Sequence, residues 1–260
     1  MKSKQILIAV SLMSAVMGSH SVLADIITVA YEGSANFGSG GVGYYFNGTV
    51  APNPNSNTVP VGVGIGGDSF TSLDHSYDFS TSGQFNTWCV DIYHWLNGSN
   101  VQYTVGTAAE LTNALSILRP DAATRVNQLG QLANQVYGTF DNKDGSAAFQ
   151  LAVWAITYGT ADVSGHYHIS TIDTGFMVDS GTAGSSYGIL ANQWLQNLGA
   201  GGPGNYKLTY LNDGDVNKTQ DMVVFTAVPP KLVTVPEPTT LALLGLGLAG
   251  LGFSRRKFVS

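Results

Sequence analysis

The chain of 260 residues contains a single cysteine, Cys89, and few charged residues. One cysteine excludes an intramolecular disulfide, which leaves four fates for the thiol: a buried inert group, an intermolecular bridge, a reactive nucleophile, or a cross-link to a residue other than cysteine. Charged residues make up 11% of the chain, whereas glycine occurs 32 times. The surface must therefore consist largely of Ser, Thr, Asn and Gly, a composition common in secreted β-rich proteins.

Positive charge is particularly scarce. Residues 25–235 contain six Lys and Arg against sixteen Asp and Glu, which gives a net charge of −10. This charge opposes binding to nucleic acid or to anionic membrane surfaces, so we expect no nucleic-acid partner.

The N-terminal segment, residues 1–24, has the features of a secretory signal peptide. Lys2 and Lys4 precede an apolar run over residues 6–17, and Val-Leu-Ala at residues 22–24 is a small-residue cleavage site. The run is short for a membrane span. The sequence therefore predicts an exported protein that begins with a signal helix.

The C-terminal segment carries a second signal. Its motif residues are Pro236, Glu237 and Pro238, followed by an apolar stretch over residues 239–253 and then by Arg255, Arg256 and Lys257. This arrangement resembles a PEP-CTERM sorting signal, which implies transient anchoring by a transmembrane helix, removal of the tail by an exosortase, and release to the cell envelope or the exterior. At about 1.5 Å per residue the stretch spans roughly 22 Å, less than the hydrocarbon core of about 30 Å, which suits a temporary anchor. Basic residues after the helix keep that end cytoplasmic.

Between the signals, the sequence predicts an α+β fold, an antiparallel β-rich domain with a helical insertion. Hairpins are predicted for residues 86–96 with 101–105 and for 206–211 with 221–227, and helices for 107–118, 121–137, 145–159 and 187–198. The predicted organisation is a signal peptide (1–24), a Gly/Asn-rich β region (25–84), an α+β region (85–228), a linker (229–238), and a transmembrane helix with its basic tail (239–260).

The predicted helix at residues 145–159 contains a chemically unusual residue. Its apolar side chains recur at helical spacing, and Ser146 is a candidate N-cap. Gln150 lies inside this apolar window, where a buried primary amide needs hydrogen-bond partners. A cysteine thiol can attack such an amide and expel ammonia, which leaves a thioester.

The residues around Gln150 resemble a known family. The run Phe149-Gln150-Leu151-Ala152-Val153-Trp154 matches the apolar-Gln-x-Ala-apolar-Trp motif of the Cys-Gln thioester domains of bacterial surface proteins, and Trp88-Cys89-Val90-Asp91 is similar to their cysteine half. The resemblance covers residues 85–158. It implies a thioester between Cys89 and Gln150, supported by Trp88, Asp91, Phe149, Ala152 and Trp154. The alternative is that Cys89 is a small buried hydrophobic residue and Gln150 a partly exposed helix residue.

The resemblance implies a covalent adhesin and no enzyme in the ordinary sense. A partner nucleophile, either an amine of a surface protein or a polysaccharide hydroxyl, would attack Gln150 and displace a thiolate whose ordinary pKa is near 8.5. His94 or Asp91 could assist proton transfer because both are close to Cys89 in sequence. The competing interpretation is a non-covalent structural or carbohydrate-binding matrix protein. Neither interpretation requires a cofactor.

Other motifs indicate ordinary structure. Two GxGxxG matches, starting at Gly38 and Gly62, do not open helices in a βαβ unit, and the GxSxG match at residues 184–188 has no histidine after it. His94, His166 and His168 lack the spacing of a zinc site, although the last two could face one side of a strand. The turns at residues 141–145 and 212–217 carry oxygen ligands without EF-hand spacing, so we predict no metal site.

Overall fold

The computed structural model describes residues 25–34, 45–46, 48–50, 63–73, 79–94, 96, 100–202, 204–214 and 219–229. The predicted signal peptide, the Pro-Glu-Pro motif and the apolar stretch at 239–253 lie outside these ranges. Within the described ranges, no helix has the length and apolar character needed to cross a membrane. The chain divides into two units, residues 1–226 and 227–260, and the architecture below belongs to the first, up to the final residue of its last strand.

Most of the strands form one closed antiparallel barrel. The described residues contain ten strands: β1 (Asp25–Ser34), β2 (Tyr45–Phe46), β3 (Gly48–Val50), β4 (Val63–Gly64), β5 (Asp68–Ser72), β6 (Gln84–Cys89), β7 (Asn100–Gly106), β8 (Phe176–Val178), β9 (Tyr206–Asn212) and β10 (Met222–Ala227). The barrel order is β1-β5-β6-β10-β9-β7, while β2 pairs with β4 and β3 pairs with β8. The predicted antiparallel β-rich domain is thus confirmed, as is the pairing of residues 206–211 with 221–227.

Alternating side chains explain why these segments form barrel strands. In β1, Ile27 and Val29 are fully buried while Ile26 is exposed. In β7, Val101 and Tyr103 are buried, and Gln102 between them is exposed. A period of two places one apolar face inside, and closure leaves no unpaired strand edge.

The predicted hairpin of residues 86–96 with 101–105 is wrong. The strand β6 ends at Cys89, and a turn follows at residues 91–94. β6 pairs with β5 on one side and β10 on the other, whereas β7 pairs with β1 and β9. Both hydrogen-bonding edges of β6 are therefore occupied, one by the preceding strand β5 and the other by β10, which is distant in sequence.

The described part of the chain contains five helices: α1 (Ala108–Ser116), α2 (Ala122–Val136), α3 (Lys143–Tyr158), α4 (Ser180–Gly184) and α5 (Ser186–Gln196). The first three contact barrel strands, and α5 packs against α3. The predicted helices 107–118, 121–137, 145–159 and 187–198 correspond to α1, α2, α3 and α5. The expected N-cap of α3 was wrong, because Asn142 and not Ser146 caps it, accepting a hydrogen bond from the Gly145 N–H at 2.9 Å. Residues 166–169 are irregular instead of forming a strand.

Helix α3 runs through the core. Every residue from Gly145 to Tyr158 is buried, so the helix has no solvent-facing side over these four turns. Two arginines bind its last carbonyls: Arg125 donates to Ile156 O at 2.7 Å and Gly159 O at 3.0 Å, and Arg119 donates to Tyr158 O at 2.7 Å. These cations satisfy carbonyls that have no partner within the helix and complement its negative end.

Candidate functional site

Cys89 lies at the C-terminal end of β6, inside the protein. It pairs with Met222 of β10, and the next residue, Val90, continues the ladder by donating to Asp221 O at 3.0 Å. Its exposed fraction is 3%. The prediction that this cysteine lies on a strand agrees with the structure, although the strand has different partners from those expected.

Gln150 is directly against Cys89. The Cys89 N–H donates to Gln150 Oε1 at 3.0 Å, and Gln150 Nε2 donates to Cys89 O at 2.9 Å. The carboxamide thus binds the cysteine peptide group on both sides, as a neighbouring strand would. Because Gln150 is fully buried, these two bonds are what allow its amide to stay in the core.

Gln150 belongs to a stripe of polar atoms along α3 that the sequence reasoning did not detect. Ser146, Gln150, Trp154 and Tyr158 follow one another at intervals of four residues, which places them on one face of the helix. Ser146 Oγ accepts from the Gly67 N–H at 3.0 Å. The sequence contains a signal for this stripe, because a side chain with a polar atom recurs at every fourth position of an otherwise apolar helix.

Tyr158 is the member of this stripe that holds the turn after Cys89. Its hydroxyl donates to Val90 O at 2.6 Å and accepts from the Ile92 N–H at 3.4 Å. Gln150 and Tyr158, two turns apart, therefore bind successive peptide groups of the segment that begins at Cys89.

The Cys89 sulfur lies in a dry environment. The Trp154 indole and the Asp91 backbone N–H are the nearby donors that favour its charged form. Burial, reinforced by the negative charge of Asp91, nevertheless raises the pKa of the Cys89 thiol well above its usual range. The expectation of an ordinary thiol pKa near 8.5 is therefore wrong for this site, because the two donors only partly offset the cost of desolvating the thiolate.

The residues that precede Cys89 and Gln150 in the chain belong to an aromatic cluster. Trp88 and Phe149 are fully buried, and their ring centroids are 4.6 Å apart. Tyr137 and Phe140 complete the cluster, each with its ring against both Trp88 and Phe149. Ala152 is also fully buried in α3. Cys89 and Gln150 therefore each follow a residue of one packed aromatic cluster.

Asp91 follows Cys89 by two residues and is half-buried. Its carboxylate accepts from the Tyr93 N–H at 3.0 Å and pairs with His94 Nδ1. Burial raises the pKa of Asp91, which the His94 partner counteracts in part. The structure thus brings Asp91, His94 and Cys89 into one region of the fold.

The remaining candidate residues take part in local structure. His168 Nε2 pairs with Asp162 Oδ2 at 2.9 Å in the loop after α3, and Ser186 of the GxSxG match donates to Asp144 at 2.6 Å. In the turn before β10, Asp213 accepts from the Thr219 N–H at 2.7 Å. Among the described residues, no group of three or more His, Cys, Asp and Glu side chains is arranged to hold a metal ion.

The junction has the parts that thioester chemistry needs. Attack of the Cys89 sulfur on Gln150 Cδ would place negative charge on Oε1, which already accepts the Cys89 N–H. The departing nitrogen, Nε2, is held by Cys89 O. The thiol proton would leave with that nitrogen as ammonia, so that the acyl group remains on sulfur.

Comparisons with known proteins identify the C-terminal signal. Residues 234–257 match the family described as PEP-CTERM protein-sorting motif. This match confirms the sorting signal predicted from Pro236, Glu237 and Pro238. The search against curated proteins finds no match.

Two solved structures from Streptococcus pyogenes are similar to the chain. One is the N-terminal domain of the pilus tip adhesin Cpa, with a TM-score of 0.43, 12% identity, and coverage of 80% of this chain and 97% of that one. The other is the N-terminal thioester domain of fibronectin-binding protein SfbI, with a TM-score of 0.40, 12% identity, and coverage of 71% and 93%. The sorting motif indicates an exported protein that is sorted to the cell envelope.

Proposed function

We propose that Cys89 and Gln150 form an internal thioester through which this exported protein attaches covalently to a partner at the cell surface or in the extracellular matrix. The observation that carries the proposal is the pair of hydrogen bonds joining the Gln150 carboxamide to the Cys89 peptide group in a buried site. The thioester stores an activated acyl group that a nucleophile opens once. An attacking amine forms an amide with the Gln150 acyl group, and an attacking hydroxyl forms an ester.

The sorting motif supports the setting of this reaction. Processing of the tail by an exosortase would release the protein from transient anchoring through residues 239–253 into the envelope or the exterior. A single covalent attachment per molecule suits adhesion or matrix cross-linking, where the product has to persist. The protein would act once and without turnover, so it is not an enzyme in the ordinary sense.

The test is the intact mass of the purified mature protein. Wild type should be lighter than its sequence by one ammonia, and methylamine should add its whole mass while freeing one thiol. Cys89→Ala and Gln150→Glu should both show their full sequence mass and no reaction with methylamine. The matched control Gln131→Glu, on α2, should behave as wild type. A wild-type mass equal to the sequence mass, with no uptake of methylamine, contradicts the proposal.

A second candidate function follows from the same pair of hydrogen bonds. The Gln150 carboxamide already has partners on both of its polar atoms, so it can act as a structural clamp on β6 with Cys89 as a packing residue. The protein would then be a non-covalent structural or carbohydrate-binding matrix component. The same mass measurement separates the two functions. If Gln150 is only a structural clamp, it keeps its amide nitrogen and the protein has its full sequence mass.

A further inference from the structure

A cleft lies next to the segment that follows Cys89, and Val90 and Asp91 are among the residues that line it. The cleft has a volume of about 230 Å³, and its floor is formed by the turn from Val90 to His94 together with Tyr158. The apolar face of α1, which includes Leu111, Ala114 and Leu115, forms one wall. This volume exceeds the roughly 150 Å³ of an apolar cavity that holds benzene, so a small side chain fits. We call this space the α1 cleft.

Asp91 connects the sulfur to the α1 cleft. Its backbone N–H is one of the donors near the Cys89 sulfur, while the residue lines the α1 cleft and its carboxylate pairs with His94. The side chain of His94 is 31% exposed, so the pair can exchange protons with solvent. A molecule in the cleft would therefore meet a proton acceptor next to the atom it has to displace.

The opposite polar wall adds a second carboxylate. Asp221 accepts a hydrogen bond from the Tyr210 hydroxyl and another from the Asp213 N–H at 3.0 Å. Burial raises the pKa of Asp221 to about 6, so it is mostly ionised at neutral pH. An alkylammonium group matches this cleft, because its carbon stem fits the leucine wall and its charge fits the two carboxylates. A sugar hydroxyl offers neither feature.

We propose that the α1 cleft is the route by which an alkylamine reaches the acyl carbon of Gln150, and that the Asp91–His94 pair accepts the proton that the attacking nitrogen releases. This inference rests on the proposed thioester. It assigns an access route and a proton acceptor to the reaction.

The reaction balances without another reactant. The ammonium group binds in the α1 cleft and there loses one proton to solvent, which leaves a free amine. Its nitrogen attacks Gln150 Cδ, the C–N bond forms, and the Asp91–His94 pair takes the second proton from that nitrogen. The C–S bond then breaks and the electron pair leaves on Cys89. The pair returns the proton to the sulfur, whose raised pKa favours the thiol, so the products are an amide and a free thiol.

The route is tested with two substitutions on α1. Ala114→Phe fills the α1 cleft, whereas Ala109→Phe places the same ring in a separate groove between α1 and α2. The intact mass of each variant is first measured to show that it has lost ammonia and so contains the thioester. Its reaction with n-butylamine is then followed by the increase in mass. Ala114→Phe should react at least about tenfold more slowly than wild type, and Ala109→Phe at the wild-type rate.

The proton acceptor is tested with a matched pair of histidines. His94→Gln should slow aminolysis by about 100-fold, whereas His168→Gln, which removes the imidazole of the Asp162–His168 pair, should leave it unchanged. Hydroxylamine serves as a second nucleophile because its less basic nitrogen gives up the second proton to water more readily, so its reaction depends less on a proton acceptor in the protein. The ratio of the n-butylamine rate to the hydroxylamine rate should fall in His94→Gln, which a purely structural role would not cause.

The outcomes distinguish this inference from the proposed function. Absence of a thioester in wild type overturns both. A thioester present in wild type and in Ala114→Phe, with equal n-butylamine rates, overturns the route alone. A His94→Gln variant that keeps its thioester and the wild-type ratio of the two rates overturns the proton acceptor, and Asp91→Asn repeats that test through the other member of the pair.

Discussion

Helices α1 and α3 lie on either side of the cleft and are held in different ways. The residues of α3 from Gly145 to Tyr158 are all buried, whereas α1 buries only Leu111 and Leu115. Polar contacts at both ends and along one face hold α3, while α1 depends on its local capping box and one apolar face. The helix that carries Gln150 is therefore fixed by tertiary contacts, and the wall facing it across the cleft is fixed mainly by its own sequence.

The largest expected effect is at the end of α3. Replacing the buried Arg125 with Met should cost about 3 kcal/mol of unfolding free energy, because the carbonyls of Ile156 and Gly159 lose a charged donor. Urea unfolding followed by circular dichroism measures it. Arg119→Met removes one bond to Tyr158 O and should cost less. Equal costs would show that the end of α3 is not held mainly by Arg125.

The pH dependence of stability tests whether the Asp68 side chain is shielded from water in the folded protein. Burial raises the pKa of Asp68, next to Gly67, to about 7. An acid with a raised folded-state pKa binds its proton more tightly when folded, so stability falls as pH rises from about 4 to about 7. We expect Asp68 to account for roughly 3 kcal/mol of that fall.

Asp68→Asn isolates this contribution, since the other acids are unchanged. The unfolding free energy of the variant should decline less than that of wild type over this pH range, and the difference should vanish below pH 4. Parallel curves for the two proteins would mean that Asp68 is hydrated in the folded state.

The next effect compares two serines. Ser146→Ala leaves the Gly67 N–H without its acceptor in the core and should cost about 1 to 2 kcal/mol. Ser116→Ala on α1 removes only an exposed bond to Asn113 O and should change stability by less than about 0.5 kcal/mol. Thermal unfolding of both variants provides the comparison. Equal losses of stability in the two variants would show that the buried bond of α3 contributes no more than the exposed bond of α1.

The smallest stability change is expected at the start of α1. Thr107 accepts from the Glu110 N–H, and the Glu110 carboxylate accepts from the Thr107 N–H, which forms a capping box. Thr107→Ala should cost about 1 kcal/mol. Amide hydrogen exchange should become faster in α1 and should keep its wild-type rate in α3. Faster exchange in α3 would mean that the two helices unfold together.

The sequence alone predicted the helices well and the strand partners poorly. Helical periodicity and stop signals such as Pro120 act within a few residues, so α1, α2, α3 and α5 were found nearly in place. The pairing of β6 with β5 and β10 depends on residues up to 135 positions apart, as the Thr87–Met222 contact shows. Local turn signals cannot reveal such partners, and for this reason the hairpin with β7 was wrongly predicted.

The amino-acid sequence by itself determined the sorting motif, the lone cysteine, and a helix in which a glutamine replaces an apolar residue. Only the tertiary structure decided that this glutamine binds the peptide group of Cys89, that burial raises the thiol pKa, and that a cleft with two carboxylates lies next to the segment that follows Cys89. The physical reason is that motifs and helices depend on neighbouring residues. Barrel closure, desolvation and the juxtaposition of residues 61 positions apart depend on how the whole chain packs.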